Sequence, residues 1–214
     1  MQNLLLHGLG QNAASWEAVK IQLSSRHMEA EALDLYGMLQ GRKAEYGALL
    51  ESLLDHCNGQ DGKLNLCGLS LGGVLALDYA KRFPERVNSL VVIGTPYQIP
   101  KFLLQLQSMI FRVMPKSAFE EMGCGKKTLR SLASSMGRLD IPEGLEKIHC
   151  PALVLCGEKD SQNQESAQRL HQQLKGSVLR LVPGAAHEVN VENPQALAQL
   201  LCEFWGRGNL LSAF

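Results

Sequence analysis

The stretch Leu64-Asn65-Leu66-Cys67-Gly68-Leu69-Ser70-Leu71-Gly72-Gly73 decides how the rest of the chain is read. An apolar run of strand length breaks at a glycine, and a buried-helix pattern continues from Val74 to Tyr79, so Ser70 falls at the end of a strand and the mouth of a helix. Gly68 and Gly72 flank it two residues away on either side, giving G-x-S-x-G. Random placement of twenty glycines and fifteen serines yields about 0.13 such matches, so the pattern alone is weak. Context strengthens it. A serine on a sharp strand-to-helix turn needs glycine at both flanks, because side chains there would collide with the neighbouring strand and helix. A Gly-rich turn carrying an incidental serine is the competing reading, and its weight depends on whether partners for Ser70 exist.

Outward from this segment, short apolar runs at 4–6, 29–33, 64–67, 89–93, 152–156 and 178–182 alternate with helix candidates at about 13–25, 44–57, 71–83, 161–175 and 194–205. Strands that are apolar almost throughout, separated by amphipathic helices, predict an α/β fold: a mostly parallel sheet of about six strands with helices on both faces. One connection is out of proportion. From 95 to 149 there is no strand signal, although ordinary connections in such folds run about 2 to 6 residues plus one helix. The expected organisation is a core made of 1–94 and 150–214, with a helical cap inserted at 95–149. Pro100 is placed to start a helix, and Phe102, Leu103, Leu106, Met109, Ile110, Val113 and Met114 follow at helical spacing. A helix apolar on nearly every side is either buried or roofs an apolar cavity, which makes Met109 and Met114 candidate substrate contacts.

The 214 residues, 45% of them apolar, suit one compact domain that buries roughly 70% of its unfolded surface. Twenty-one basic residues balance twenty-one acidic ones, which argues against a nucleic-acid or anionic-membrane binder. Leu4 to Leu6 is too short a run for a signal-peptide core, and no stretch approaches the roughly 20 apolar residues of a membrane span. A cytoplasmic protein is expected. The six cysteines show no zinc-type spacing and read as reduced, with Cys67 and Cys156 ending apolar runs as small core residues would.

A serine at its ordinary pKa is a poor nucleophile, so a base and an orienting acid are required. Of six histidines, His187 follows the last strand in Val182-Pro183-Gly184-Ala185-Ala186-His187, at a strand's C-terminal edge where open α/β sheets build their sites. His7, in His7-Gly8-Leu9-Gly10, is read as a shaper of its own loop. The acid should follow another strand end, and Leu155-Cys156-Gly157-Glu158-Lys159-Asp160 supplies Asp160, with Glu158 as competitor. The order Ser70, Asp160, His187 is the one associated with G-x-S-x-G on a sheet. Asp34 would break that order and reads as a turn former. Backbone N–H groups of Leu9 and Leu71 are the expected oxyanion donors.

These motifs together resemble the α/β-hydrolase superfamily, specifically its small cytoplasmic capped esterases. The resemblance rests on H-G-x-G with a following Trp16, Asp34-Leu35-x-Gly37, G-L-S-L-G-G, G-E-K-D, and G-A-A-H followed by Glu192-Asn193-Pro194. It covers nearly the whole chain and implies a serine hydrolase that cleaves an ester or thioester through an acyl-enzyme, without cofactor or metal. Members of the family usually carry two more strands ahead of the H-G segment; here the first strand signal starts three residues after Met1, so one sheet edge is expected to be open or covered by a partner, in a monomer or a homodimer. The family's alternative position for the acid reads Gly94-Thr95-Pro96 and holds no carboxylate. A ligand-binding receptor of the same fold, a lactonase, a carbon–carbon bond hydrolase and a lyase stay open as alternatives.

Two motifs are decoys. Gly123-Cys124-Gly125-Lys126-Lys127-Thr128 lacks the first glycine of a phosphate loop, and His187-Glu188 lacks the closing histidine of H-E-x-x-H, Val191 standing there instead. Between Tyr97 and His149 eight Lys or Arg face five acids. Solvated helix faces account for that excess, while the sharper reading is a docking patch for a substrate linked to an acidic carrier.

Overall fold

The computed structural model describes residues 1–99 and 124–206. Its six strands are β1 (Gln2–Leu6), β2 (Glu31–Leu33), β3 (Leu64–Leu69), β4 (Val87–Ile93), β5 (Ala152–Gly157) and β6 (Val178–Val182). They form one sheet in the order β2-β1-β3-β4-β5-β6, every pair parallel. Parallel pairing requires crossovers over the faces, and these are α1 (Glu17–Ser24), α2 (Tyr46–Asn58), α3 (Leu71–Arg82) and α5 (Ser161–Gln173), joined by α4 (Lys126–Met136) before β5 and by α6 (Val189–Glu192) and α7 (Pro194–Gly206) after β6.

The apolar runs supply both faces of the sheet because side chains alternate along a strand. Leu4, Leu6, Leu64, Leu66, Leu90, Val92 and Val154 point to one core with the buried residues of α2, α3, α4 and α5. Leu5, Cys67, Leu69, Val91, Ile93, Leu153 and Leu155 point to the other, where α1 and α7 close over Trp16, Val19, Leu23, Leu197 and Leu201. Each fully buried leucine contributes on the order of 1.5–3 kcal/mol, so a one-residue slip of any central strand would exchange the two sets.

Several boundaries differ from the sequence expectation, and two of the differences have a clear cause. The strand expected at 29–33, Glu-Ala-Glu-Ala-Leu, pairs over only three residues, since β2 is an edge strand with β1 as its single neighbour among the described residues. The helix expected from 13 opens as a 3-10 turn, Ala13–Trp16, capped by the Asn12 side chain accepting from the Ala14 N–H at 2.9 Å, before α1 takes over. Between β4 and β5, α4 buries Leu129, Leu132, Ala133 and Met136, and Ser135 Oγ accepts the Tyr46 N–H of α2 at 2.8 Å. The helix expected from Pro100, with Met109 and Met114, lies outside the described residues. No helix among the described residues is long and apolar enough to cross a membrane.

Candidate active site

Because all six strands run the same way, their C-terminal ends share one edge, and backbone bonds step the chain across it. The Ser70 N–H donates to the Ile93 carbonyl at 2.8 Å, the Gly94 N–H to Leu155 at 2.9 Å, the Glu158 N–H to Val182 at 3.0 Å and the Lys159 N–H to Ala185 at 2.8 Å. The ends of β3, β4, β5 and β6 are thereby locked in series, carrying Ser70, Gly94, Asp160 and the loop to His187.

At the first of these ends Ser70 adopts φ 51° and ψ −110°, between β3 and the first residue of α3. A non-glycine residue there costs on the order of 1–3 kcal/mol and persists only where its surroundings enforce it. They do. A Cβ on Gly68 would overlap the Gly72 carbonyl, and one on Gly72 would overlap the Leu6 carbonyl of β1. The two flanking glycines let strand, turn and helix pack at backbone contact, with Ser70 half-buried at the apex.

His187 and Asp160 meet directly. The Nδ1–H of His187 donates to Asp160 Oδ2 at 2.8 Å, with Asp160 only 6% exposed and the His187 side chain 42% exposed. Burial pushes the Asp160 carboxyl up, but hydrogen bonds from His187 and Asn163 outweigh it and hold the group below the usual aspartate range. The imidazole rests on Gly94, where a Cβ would come within 3.0 Å of Nδ1 and 3.1 Å of Cε1. Ser70 and His187 make no direct hydrogen bond among the described residues, and catalytic bonds of this kind are often long without substrate.

The competitors for these roles have other tasks. Glu158 accepts the Gly184 N–H at 2.8 Å, pinning the loop that leads to His187. Asp34 accepts the Gly37 N–H at 3.1 Å, as a turn former does. His7 is fully buried, with Nδ1–H donating to the Gly8 carbonyl at 2.9 Å and Nε2 accepting the Leu35 N–H at 3.2 Å.

His7 therefore ties the Gly8-Leu9-Gly10 loop to the turn after β2. Tyr36 helps, its hydroxyl accepting the Gly10 N–H at 2.9 Å. Gln11 Oε1 accepts the Gly8 N–H at 3.3 Å, so the amides on either side of Leu9 are engaged. The N–H groups of Leu9 and Leu71 find no acceptor among the described residues, and both belong to segments that border Ser70.

Sequence reasoning missed the residues that brace this edge. Asn163 donates to Asp160; Glu192 accepts the Ala186 N–H at 2.7 Å and the Glu188 N–H at 3.0 Å, gripping both sides of His187. Buried Asn190 and Gln11 exchange amide hydrogen bonds at 3.2 and 3.3 Å, linking the loop after β1 to the helix after His187. For Asn163 a signal existed: a short polar side chain three residues past Asp160, in the first turn of a helix, faces back towards it. Among the described residues no three His, Cys, Asp or Glu side chains gather as metal ligands would.

The sheet order places a serine at φ 51° after β3 and an Asp–His pair after β5 and β6 on one sheet edge. The alpha/beta hydrolase family model matches residues 4–200, and the chain belongs to that family. Among its relatives, the pimeloyl-[acyl-carrier protein] methyl ester esterase of Salmonella paratyphi A is 27% identical over a 237-residue alignment that covers 92% of this chain and 91% of the relative. The (E)-2-((N-methylformamido)methylene)succinate hydrolase of Acinetobacter baylyi is 24% identical, covering 92% and 88%. A thermophilic esterase from Thermogutta terrifontis superposes with a TM-score of 0.76 over 97% of this chain and 90% of its own, at 22% identity, which speaks for the fold.

Proposed function

We propose that the protein hydrolyses a carboxylic ester or thioester with Ser70 as nucleophile, His187 as base and Asp160 as the orienting acid. The observation that carries this reading is the 2.8 Å bond between His187 and buried Asp160 at the same sheet edge as a serine held at φ 51°. Ser70 Oγ attacks the substrate carbonyl carbon while its proton passes to His187 Nε2, the ring nitrogen that Asp160 does not occupy. The carbonyl oxygen, now an oxyanion, is received by the Leu9 and Leu71 N–H groups. Collapse breaks the bond to the alcohol or thiol, which takes the proton from Nε2 and leaves an acyl ester on Ser70. Water, deprotonated by the same nitrogen, then releases the carboxylic acid and restores the serine. Asp160 stays ionised throughout, fixing the tautomer with its proton on Nδ1 and stabilising the imidazolium.

The similarity to a pimeloyl-[acyl-carrier protein] methyl ester esterase, together with the basic excess between Tyr97 and His149, supports an acyl ester borne by an acidic carrier. A chain-length series of p-nitrophenyl esters and acyl thioesters tests the reaction. Ser70→Ala is expected to lower kcat by at least about 10³-fold with the far-UV spectrum unchanged; near-normal turnover would remove Ser70 from the mechanism. Steering by the basic residues predicts that KM for a carrier-linked ester rises with salt while KM for a neutral ester does not.

A further inference from the structure

We propose that Asn163 is a positioning residue for the Asp160–His187 pair: its side-chain amide fixes the carboxylate in the rotamer that faces His187 and supplies the donor a buried anion needs on its other oxygen. The Asn163 Nδ2 group lies 2.9 Å from both Asp160 Oδ1 and Oδ2. Oδ2 also receives the His187 Nδ1–H, whereas Oδ1 has Asn163 as its one side-chain donor among the described residues. With Asp160 6% exposed, little water reaches that oxygen; beyond the amide it has only the Asn163 backbone N–H nearby among the described residues, and a charged oxygen short of donors in such a place is costly. The same amide stands 3.2 Å from His187 Nδ1. Two donors do not bond each other, so this approach sets the amide against the ring's flank, beside the proton that Asp160 accepts.

Local sequence explains the arrangement. Asp160 precedes the first residue of α5, and Asn163 completes its first turn, with the Asn163 N–H donating to the Asp160 backbone carbonyl at 3.1 Å. The remaining titratable groups near the pair are engaged or exposed. Glu158 holds the Gly184 N–H, Glu192 holds the Ala186 and Glu188 N–H groups, and Lys159 and Glu188 are exposed. From β5, Cys156 donates its thiol to the Asp160 backbone carbonyl at 3.7 Å, and burial pushes that thiol up to about 12, so it stays neutral.

The consequence is a pH effect whose sign does not depend on which member of the pair holds the proton. Asp160 ionised with neutral His187 carries one negative charge; taking up a proton cancels it. Donors to the carboxylate stabilise the charged form, so their removal makes the pair take up its proton at higher pH. In Asn163→Leu the acid limb of kcat/KM for p-nitrophenyl acetate should move up by about one pH unit, with plateau kcat about tenfold lower. Asn163→Asp, nearly isosteric, should move it further, because a second carboxylate then faces the first.

The kinetic arm rests on the serine-hydrolase reading. Titration of the His187 ring by NMR in the same variants reads the pair without turnover. If Ser70→Ala retains turnover while the His187 titration moves up in both Asn163 variants, the hydrolase reading fails and this inference stands. If Ser70→Ala abolishes turnover and both variants titrate as wild type, this inference is overturned alone. A lowered Tm with the acid limb and the ring titration unmoved would also overturn it, since that is the signature of a purely structural side chain.

Discussion

His7 and His187 both follow parallel strands and border the same sheet edge, but the chain treats their rings differently. His7 is fully buried with a donor bond from one nitrogen and an acceptor bond at the other, and its ring meets Tyr36 edge-on at 4.9 Å between centroids. His187 uses Nδ1 alone, on Asp160, and its side chain is 42% exposed, with Nε2 unengaged among the described residues. A brace needs both nitrogens bonded so that the ring cannot turn. A base needs one bonded and one lone pair available. The difference separates loop construction from chemistry within one residue type, and each side of it can be tested.

The largest expected effect belongs to His187. His187→Ala should lower kcat by about 10³- to 10⁴-fold, while stability in urea changes by only about 1 kcal/mol, because the ring is 42% exposed and its removal uncovers little apolar surface. Loss of stability with kcat retained would exchange the roles assigned to the two histidines. Combining it with Ser70→Ala should add little further loss, since groups that act as a unit are not additive. Losses that multiply would mean no such unit exists.

Next in size is the carboxylate behind the proposed base. Asp160→Asn keeps the shape but no longer demands the proton on Nδ1, and kcat should fall by about 10³- to 10⁴-fold. Glu158→Gln keeps an acceptor for the Gly184 N–H and should leave kcat within a few-fold of wild type. The reverse ranking in kcat would move the acid to Glu158.

How far the site was legible follows the same division. The strand-to-helix turn at Ser70 could be read because its requirement is steric: Gly68 and Gly72 stand where any Cβ would overlap backbone, and only one residue type meets that demand. Runs apolar almost throughout, such as Leu4 to Leu6, gave the sheet covered on both faces for a similar reason, since Leu4 and Leu6 enter one core and Leu5 the other. Asn163, Glu192 and the Gln11–Asn190 pair could not be read this way. They are common polar residues whose type does not fix a partner: Asn163 and Glu192 act on residues three to six positions away, whereas Gln11 and Asn190 meet across 179 positions by how loops close. The stretch at 29–33 was read too long because its alternation of Glu29 and Glu31 with Ala30 and Ala32 has strand period before pairing begins, and period does not show where an edge strand starts to pair.

A smaller effect, on stability, is expected at the brace. His7→Ala leaves the Leu35 N–H without its acceptor, leaves the Gly8 carbonyl with only the Gln11 N–H at 3.2 Å, and opens a void beside Tyr36, which together should cost about 2–4 kcal/mol. Urea midpoints measure it directly. An unchanged midpoint would show that Tyr36 and Gln11, which hold the flanking Gly10 and Gly8 amides, suffice to build the loop without the imidazole.

The smallest effect is the pH dependence that His7 gives to folding. Burial holds its imidazolium below the ordinary histidine value of 6.5, against the opposing influence of the Gly8 carbonyl and the Asp34 charge. The unfolded chain therefore binds a proton at this position that the folded chain refuses, and stability present above about pH 6.5 is lost as the pH falls below it. One proton accounts for at most about 1.4 kcal/mol between pH 7.5 and 5.5. In His7→Asn the amide can still donate towards the Gly8 carbonyl but does not titrate. Unfolding free energies of the two proteins at both pH values isolate the term, because every other group titrates alike in each and cancels in the difference. Wild type should lose more stability than the variant over that interval. Equal losses would mean the buried ring takes up its proton as readily as in the unfolded chain, and His7 would then no longer contrast with His187 as a ring locked in its neutral form.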